Sequence, residues 1–239
     1  MDPLWLTLLQ WLHTLGIHLD ARAAEQVVPV VAQAAQRLDM PNLLALAAAL
    51  GWASGFRLYA VVFLVGVAGT AGWISLPPGL LVLQHPAMLM ASAALLFVEF
   101  FADKIPGVDS LWDALQSVIR IPAGAALAAG ALGADSATAG AIAALMGGAL
   151  AATSQAAKTT TRAAINTSPE PFSNLLASLF EDGLVVGAVW LASTHPLLFG
   201  VLLSITVVLM WVVTWLLFKF LRAVLRRLSA FLSGPPKAA

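Results

Sequence analysis

Long apolar runs, separated by short polar or turn-rich breaks, fill the chain from about residue 43 onward. A bilayer's hydrocarbon core is about 30 Å thick and takes about 20 predominantly apolar residues per helix, so runs of that length read as spans. Six qualify: 43–71, ending at Gly72-Trp73; 85–102, stopping at Asp103-Lys104; an Ala/Gly-rich pair, 117–133 and 137–157, divided by Gly133-Ala134-Asp135-Ser136; 174–193, which carries Glu181 and Asp182; and 196–218, which runs into Lys219-Phe220-Leu221-Arg222. The pattern predicts an all-α, polytopic transmembrane helix bundle of about six spans.

Residues 1–40 break the pattern. Asp2-Pro3 reads as a helix start, Trp5, Leu8, Trp11, Leu12 and Leu15 follow, and the segment turns polar between Asp20 and Gln36. Too short and mixed to span, it is expected to lie as an amphipathic helix on the membrane surface. The expected organisation is an interfacial segment over 1–40, a bundle over 41–222 and a basic tail over 223–239, with Arg222, Arg226 and Arg227 spaced to face anionic headgroups.

Composition agrees: 60% of the 239 residues are hydrophobic and 10% charged, against about 45–50% and 25% in globular proteins. That is too apolar for one soluble core. Twelve basic and twelve acidic residues give no case for a nucleic-acid partner. The absence of cysteine excludes thiol catalysis, disulfides and Cys-ligated zinc or iron–sulfur centres. No cofactor is expected. The start, Met1-Asp2-Pro3-Leu4-Trp5, has no basic region or cleavage site of a signal peptide.

Lys and Arg favour cytoplasmic loops, and their distribution is one-sided. Arg22 and Arg37 precede the first span, Lys104 and Arg120 flank the second connection, Lys158 and Arg162 lie in the fourth, and Lys219, Arg222, Arg226, Arg227 and Lys237 follow the last. The first, third and fifth connections carry neither residue. An even number of spans with both termini cytoplasmic accounts for this; spans three and four as a re-entrant pair would preserve it.

The two long cytoplasmic connections hold the unusual chemistry. On helices, Glu99 and Asp103 share a face, as do Lys158 and Arg162, while Asp109, Asp113 and Arg120 fall along one stripe. Pro106-Gly107 should break the chain before Asp109-Ser110 starts a new helix, and Pro122 should kink the third span.

Four stretches carry a family resemblance: Gly51 through Tyr59, Glu99 through Asp113, Arg120-Ile121-Pro122-Ala123-Gly124, and Ile165 through Asn174. In these the chain resembles the bacterial membrane proteins catalogued as domain of unknown function 4126, over about residues 44–215. The resemblance implies a multi-span protein of the bacterial cytoplasmic (inner) membrane and supplies no substrate or reaction. A weak internal repeat is also visible. Ala53-Ser54-Gly55-Phe56-Arg57 aligns with Ala177-Ser178-Leu179-Phe180-Glu181, and His-Pro pairs at 85–86 and 195–196 precede the second and sixth spans.

Ionisable groups within spans cost about 2.5–3.5 kcal/mol each at a helix centre, so they should face inward and meet partners or water. The candidates for a substrate or ion pathway are Arg57, Glu99, Asp103, Lys104, Asp109, Asp113, Arg120, Lys158, Arg162, Asn166, Glu181 and Asp182. Their expected arrangement is a charged vestibule open to the cytoplasm, taking a small ion or polar solute. This favours a transporter or channel. Two alternatives stand beside it: a lipid-modifying enzyme using Asp103, Asp109 and Asp113 with a divalent cation, and a non-catalytic scaffold in which the charges only pair. No catalytic residue is assigned and the metal is left undetermined; the partners are the lipid bilayer and a small ion or polar solute, and a homo-oligomer is compatible with the sequence, which does not fix the oligomeric state. His85 and His195 read as turn residues before proline, and Gly124, Gly130, Gly140, Gly147 and Gly148 as sites of close helix packing.

Overall fold

A computed structural model of the chain describes residues 40–105, 107–132, 137–167 and 171–232. The chain divides into two units, Met1–Leu38 and Asp39–Ala239. The expected interfacial helix falls in the first and lies outside the described residues; the end of the basic tail, in the second, lies outside them too. The described residues are predominantly helical and form no strand: α1 (Met40–Thr70), a 3₁₀ segment (Pro78–Gln84), α2 (Pro86–Ala102), α3 (Val108–Leu132), α4 (Ala137–Ile165), α5 (Pro171–Thr194) and α6 (Pro196–Leu232). Five helices, α1 and α3–α6, are long and apolar enough to cross a membrane, and the 3₁₀ segment with α2, bent by 68°, makes a sixth candidate.

Proline opens α2, α5 and α6, at a position where the missing N–H would have no partner anyway. His85 caps α2, its Nδ1 accepting the Ala87 N–H at 3.2 Å. Gly107, at φ +86°, turns the short 103–107 connection in a conformation that L side chains rarely adopt.

The connections are shorter than the apolar runs implied: the new helix expected at Asp109-Ser110 begins at Val108 and continues into the third span as α3, and α4 runs on past residue 157 to Ile165. α3 is amphipathic with its polar face inward. Asp109, Asp113, Gln116 and Arg120 are buried, while Leu111, Leu115 and Val118 look outward. An apolar-run criterion discards such a turn because it counts the charges without their direction. Pro122 lies within α3 without ending it.

α1 departs furthest from the sequence reading. Arg57, near its middle, has extended backbone (φ −146°, ψ 79°), dividing α1 into half-helices 40–56 and 58–70. The contacts of the halves show that the chain turns back. Gly51 meets Gly147 and Gly124, Gly55 meets Ala151 and Ser154, and Tyr59 Oη donates to Gln116 Oε1 at 3.0 Å. Up to this point the chain descends along α3 toward that helix's N-terminus. Val62, however, shares a cavity with Ala123 and Leu127, and Gly66 abuts Leu83 near the Gly79–Gly130 contact. The second half therefore climbs back toward the end where it began, and α1 is a re-entrant hairpin with Arg57 at its tip. A 17-residue half-helix is about 25 Å long at 1.5 Å per residue, deep enough to carry the tip past the middle of a bilayer.

The hairpin is the core. Ala47, Ala49, Leu50, Ala53, Val61 and Val65 have no exposed surface, and α2, α3, α4, α5 and α6 all pack against it. Close approach depends on small residues: a methyl on Gly51 would stand 2.5 Å from the Gly147 Cα. α6 lies at the periphery, with Leu197, Val201, Ile205, Val208 and Trp211 facing outward. Lys219 Nζ sits 3.7 Å over the Trp215 ring, a pairing suited to the membrane interface.

The antiparallel succession puts residue 70, the 3₁₀ segment, the C-termini of α3 and α5 and the N-termini of α4 and α6 at one end. The C-termini of α2, α4 and α6 and the N-termini of α3 and α5 lie at the other. Arg120, Lys158 and Arg162, counted above as flanking connections, are buried inside the bundle. The outward-reaching cations Lys104, Lys219 and Arg222 still fall at the second end. Residue 40 stands at the first, opposite the end of α6, because the hairpin does not cross; the expected common side for the two termini then depends on residues 1–39, outside the described part.

Candidate functional site

The hairpin tip places one basic side chain where five helices meet. Arg57 is fully buried: its Nε lies 2.8 Å from Asp182 Oδ1 and 3.9 Å from Glu181 Oε2, and its Nη2 lies 3.2 Å from Asp103 Oδ2 and donates to Ser178 Oγ at 2.6 Å. The α2 C-terminus supplies Glu99 and Asp103. The inward face of α3 supplies Asp113 and Arg120, with Arg120 paired to Glu99 and, at 2.8 Å, to Asp113 Oδ1. Gln155 of α4 accepts from Arg120 at 2.9 Å and donates to the Asp113 carbonyl at 3.0 Å.

Lys158 holds the centre. Its Nζ lies 3.1 Å from the Phe56 carbonyl oxygen, 3.2 Å from Asp103 Oδ2, 3.1 Å from Asp113 Oδ1 and 3.1 Å from Glu181 Oε2. The Phe56 carbonyl ends the first half-helix, so the ammonium also meets the negative end of a helix dipole. One turn on, Arg162 pairs with Glu181 Oε1 at 3.1 Å and donates to the Asp103 and Asn174 carbonyls, both at 3.1 Å.

Asp109 stands beside this network. It accepts from Asn166 Nδ2 at 2.9 Å and from the Gly107 N–H at 2.7 Å, and Asn174 Nδ2 donates to Asn166 Oδ1 at 2.8 Å, which links the pair to Arg162. Lys104 stays outside, its ammonium on the Phe100 ring and carbonyl. Of the twelve candidates, Arg57, Glu99, Asp103, Asp113, Arg120, Lys158, Arg162, Glu181 and Asp182 converge, Asp109 and Asn166 adjoin, and Lys104 does not enter.

The charges form a closed network, not an open vestibule. Among the converging ion-paired side chains only Asp182, 34% exposed, reaches the surface appreciably. Asp103, one residue beyond α2, is penalised by burial, but Lys158, Arg57 and Arg162 outweigh that and hold its carboxyl below the usual range. Several buried polar atoms have no hydrogen-bond partner among the described residues, including Arg57 Nη1, Asp103 Oδ1, Asp113 Oδ2, Glu99 Oε2 and Arg120 Nε. Among the described residues no group of three or more acidic or histidine side chains is arranged to hold a metal ion, and Asp109 is engaged by Asn166. A cavity of about 370 Å³ between α1, α4, α5 and α6 ends on Lys158 and Glu181.

Sequence reasoning missed Gln155, Ser178, Ser154 and Asn174. Ser154 Oγ donates to the Trp52 carbonyl at 2.6 Å. These neutral polar residues carry no charge signal, although Gln155 and Ser154 precede Lys158 and Arg162 at helical spacing. The aligned positions of the weak repeat, Arg57 and Glu181, do meet across the hairpin tip.

The sequence model of one family, described as Domain of unknown function (DUF4126), matches residues 44–217. No curated protein and no solved structure matches the chain.

Proposed function

Since the chain belongs to that family, whose description names no activity, we propose from its geometry that this integral membrane protein is a transporter or channel for a small ion or polar solute. One observation carries the reading: a helix reverses inside the membrane and places its open ends in a buried charge network. Irregular backbone at membrane depth is tolerated where it is buried in protein or lines a cavity, and discontinuous helices build the sites of many transporters. The unpartnered buried atoms support the same reading, because groups left unsatisfied in an apolar surround await water or a ligand. The closed network then corresponds to an occluded arrangement, with Asp182 nearest the outside. We further propose that the end bearing Lys104, Lys219 and Arg222 faces the cytoplasm of a bacterial inner membrane.

The test is flux through purified protein in liposomes, with inorganic cations, ammonium and small zwitterions as probes. Saturable flux that is lost in Arg57→Ala and Glu99→Gln variants that remain folded supports the proposal. Folded protein inert to the whole set overturns it in favour of a scaffold, which the dense pairing of the charges would also suit. The lipid-enzyme alternative draws less support, since each buried acid of the tip network faces a cation.

A further inference from the structure

We propose that the four oxygens around Lys158 Nζ form a binding site for a compact ammonium-type cation, with the Lys158 side chain as its resident occupant; the idea deepens the transport reading and rests on it. Phe56 O, Asp103 Oδ2, Asp113 Oδ1 and Glu181 Oε2 stand 3.1–3.2 Å from the nitrogen, and Lys158 is buried. Lys158 donates to Phe56 O and Asp103 Oδ2 and pairs ionically with Asp113 Oδ1 and Glu181 Oε2, the last of which has no hydrogen-bond partner among the described residues; the separations are long for calcium or magnesium, which hold oxygen at about 2.0–2.6 Å.

The walls do not depend on Lys158. Arg57 and Arg162 hold Asp103, Arg120 holds Asp113, and Arg162 holds Glu181. Asp103 Oδ1 and Asp113 Oδ2 are buried and lack hydrogen-bond partners among the described residues, so each of these carboxylates keeps acceptor capacity beyond what Lys158 uses. Phe56 O belongs to the end of a half-helix, a dipole end that favours a cation.

Lys158 also has somewhere to go. The cavity of about 370 Å³ is lined by Lys158 itself together with Trp52, Phe56, Thr161, Glu181 and Leu184. A cation entering the cage as the lysine swings into this groove leaves one positive charge among the same oxygens. Such an exchange avoids stranding buried carboxylates, and the displaced ammonium, which a mainly apolar groove would penalise, keeps Glu181 and Thr161 on the groove's lining.

Two measurements test this in detergent, where no flux is needed. Lys158→Ala empties the cage, and its thermal midpoint should rise saturably with ammonium or methylammonium but not with tetramethylammonium at equal ionic strength. Adding Asp113→Asn should abolish the rise. Equal midpoints in all three salts overturn the proposal. The second measurement keeps Lys158, so it decides the matter even where Lys158→Ala is not recovered folded. In Thr161→Cys, the single thiol of an otherwise cysteine-free chain, N-ethylmaleimide labelling should slow several-fold with ammonium as the lysine side chain enters the groove. A rate indifferent to ammonium counts equally against the site. Binding without flux would retain the site and remove the transport reading, whereas flux of other solutes with no ammonium response would remove the site alone.

Discussion

At the residue scale, the energetics of Arg57 and Lys104 should differ sharply although both are cations in the family-like stretches. Arg57 is fully buried and paired with Asp103 and Asp182, and removing one member of a buried ionic group leaves charges uncompensated, at a cost of about 3–5 kcal/mol. Arg57→Met should therefore lower the unfolding free energy in detergent by about that much, or prevent recovery of folded protein. Lys104 sits over Phe100 at the edge of the fold, and exposed interactions of this kind are worth about 0–1 kcal/mol. Lys104→Met should leave the thermal midpoint nearly unchanged. A larger loss at Lys104 than at Arg57 would show that the network has been misplaced. The sequence placed Arg57 inside an apolar run, where an ionisable group should face inward, and Lys104 in a connection, and the two burials follow that difference. What no residue type at 57 announces is the backbone break that turns the chain there.

At the scale of elements, the apolar runs gave good boundaries where proline or a turn punctuates them. α2, α5 and α6 begin within a few residues of the expected spans. The reading failed where an element's direction or facing mattered. A window of apolar residues looks the same whether its helix crosses or turns back, so 43–71 read as one span. Likewise, the apolar run of the third span began only near residue 117, although α3 starts at Val108, because four polar side chains of its first turns face the bundle interior. Small residues were legible as packing positions, and the structure makes a graded prediction of them. Gly51→Leu would drive a side chain into the Gly147 backbone, where even a methyl would stand 2.5 Å from Cα. The hairpin and α4 would have to separate, and folded, monodisperse protein should be lost. Gly200, on the outer face of α6, has nothing within 4 Å of an added methyl. Gly200→Ala should be neutral or stabilising by up to about 1 kcal/mol, from helix propensity.

At the scale of the whole molecule, the hairpin changes the parity of the chain. Six crossings would return the end of α6 to the side on which residue 40 begins. With α1 re-entrant, five crossings remain, counting the bent 3₁₀–α2 pair as one, and the two positions lie on opposite faces. The absence of native cysteine makes this directly measurable. Single cysteines at Met40, Trp73, Lys104 and Leu225, all at least partly exposed, can be labelled in intact cells or sealed right-side-out vesicles with a membrane-impermeant maleimide. Met40→Cys and Trp73→Cys should react from one face, Lys104→Cys and Leu225→Cys only from the other. A crossing α1 would instead place Met40 with Lys104 and Leu225, apart from Trp73. The result bears on mechanism, because only the re-entrant arrangement brings a helix C-terminus and Arg57 together at the depth of Lys158. A crossing helix at this position would leave the Phe56 carbonyl within a continuous helical ladder and dismantle the four-oxygen cage.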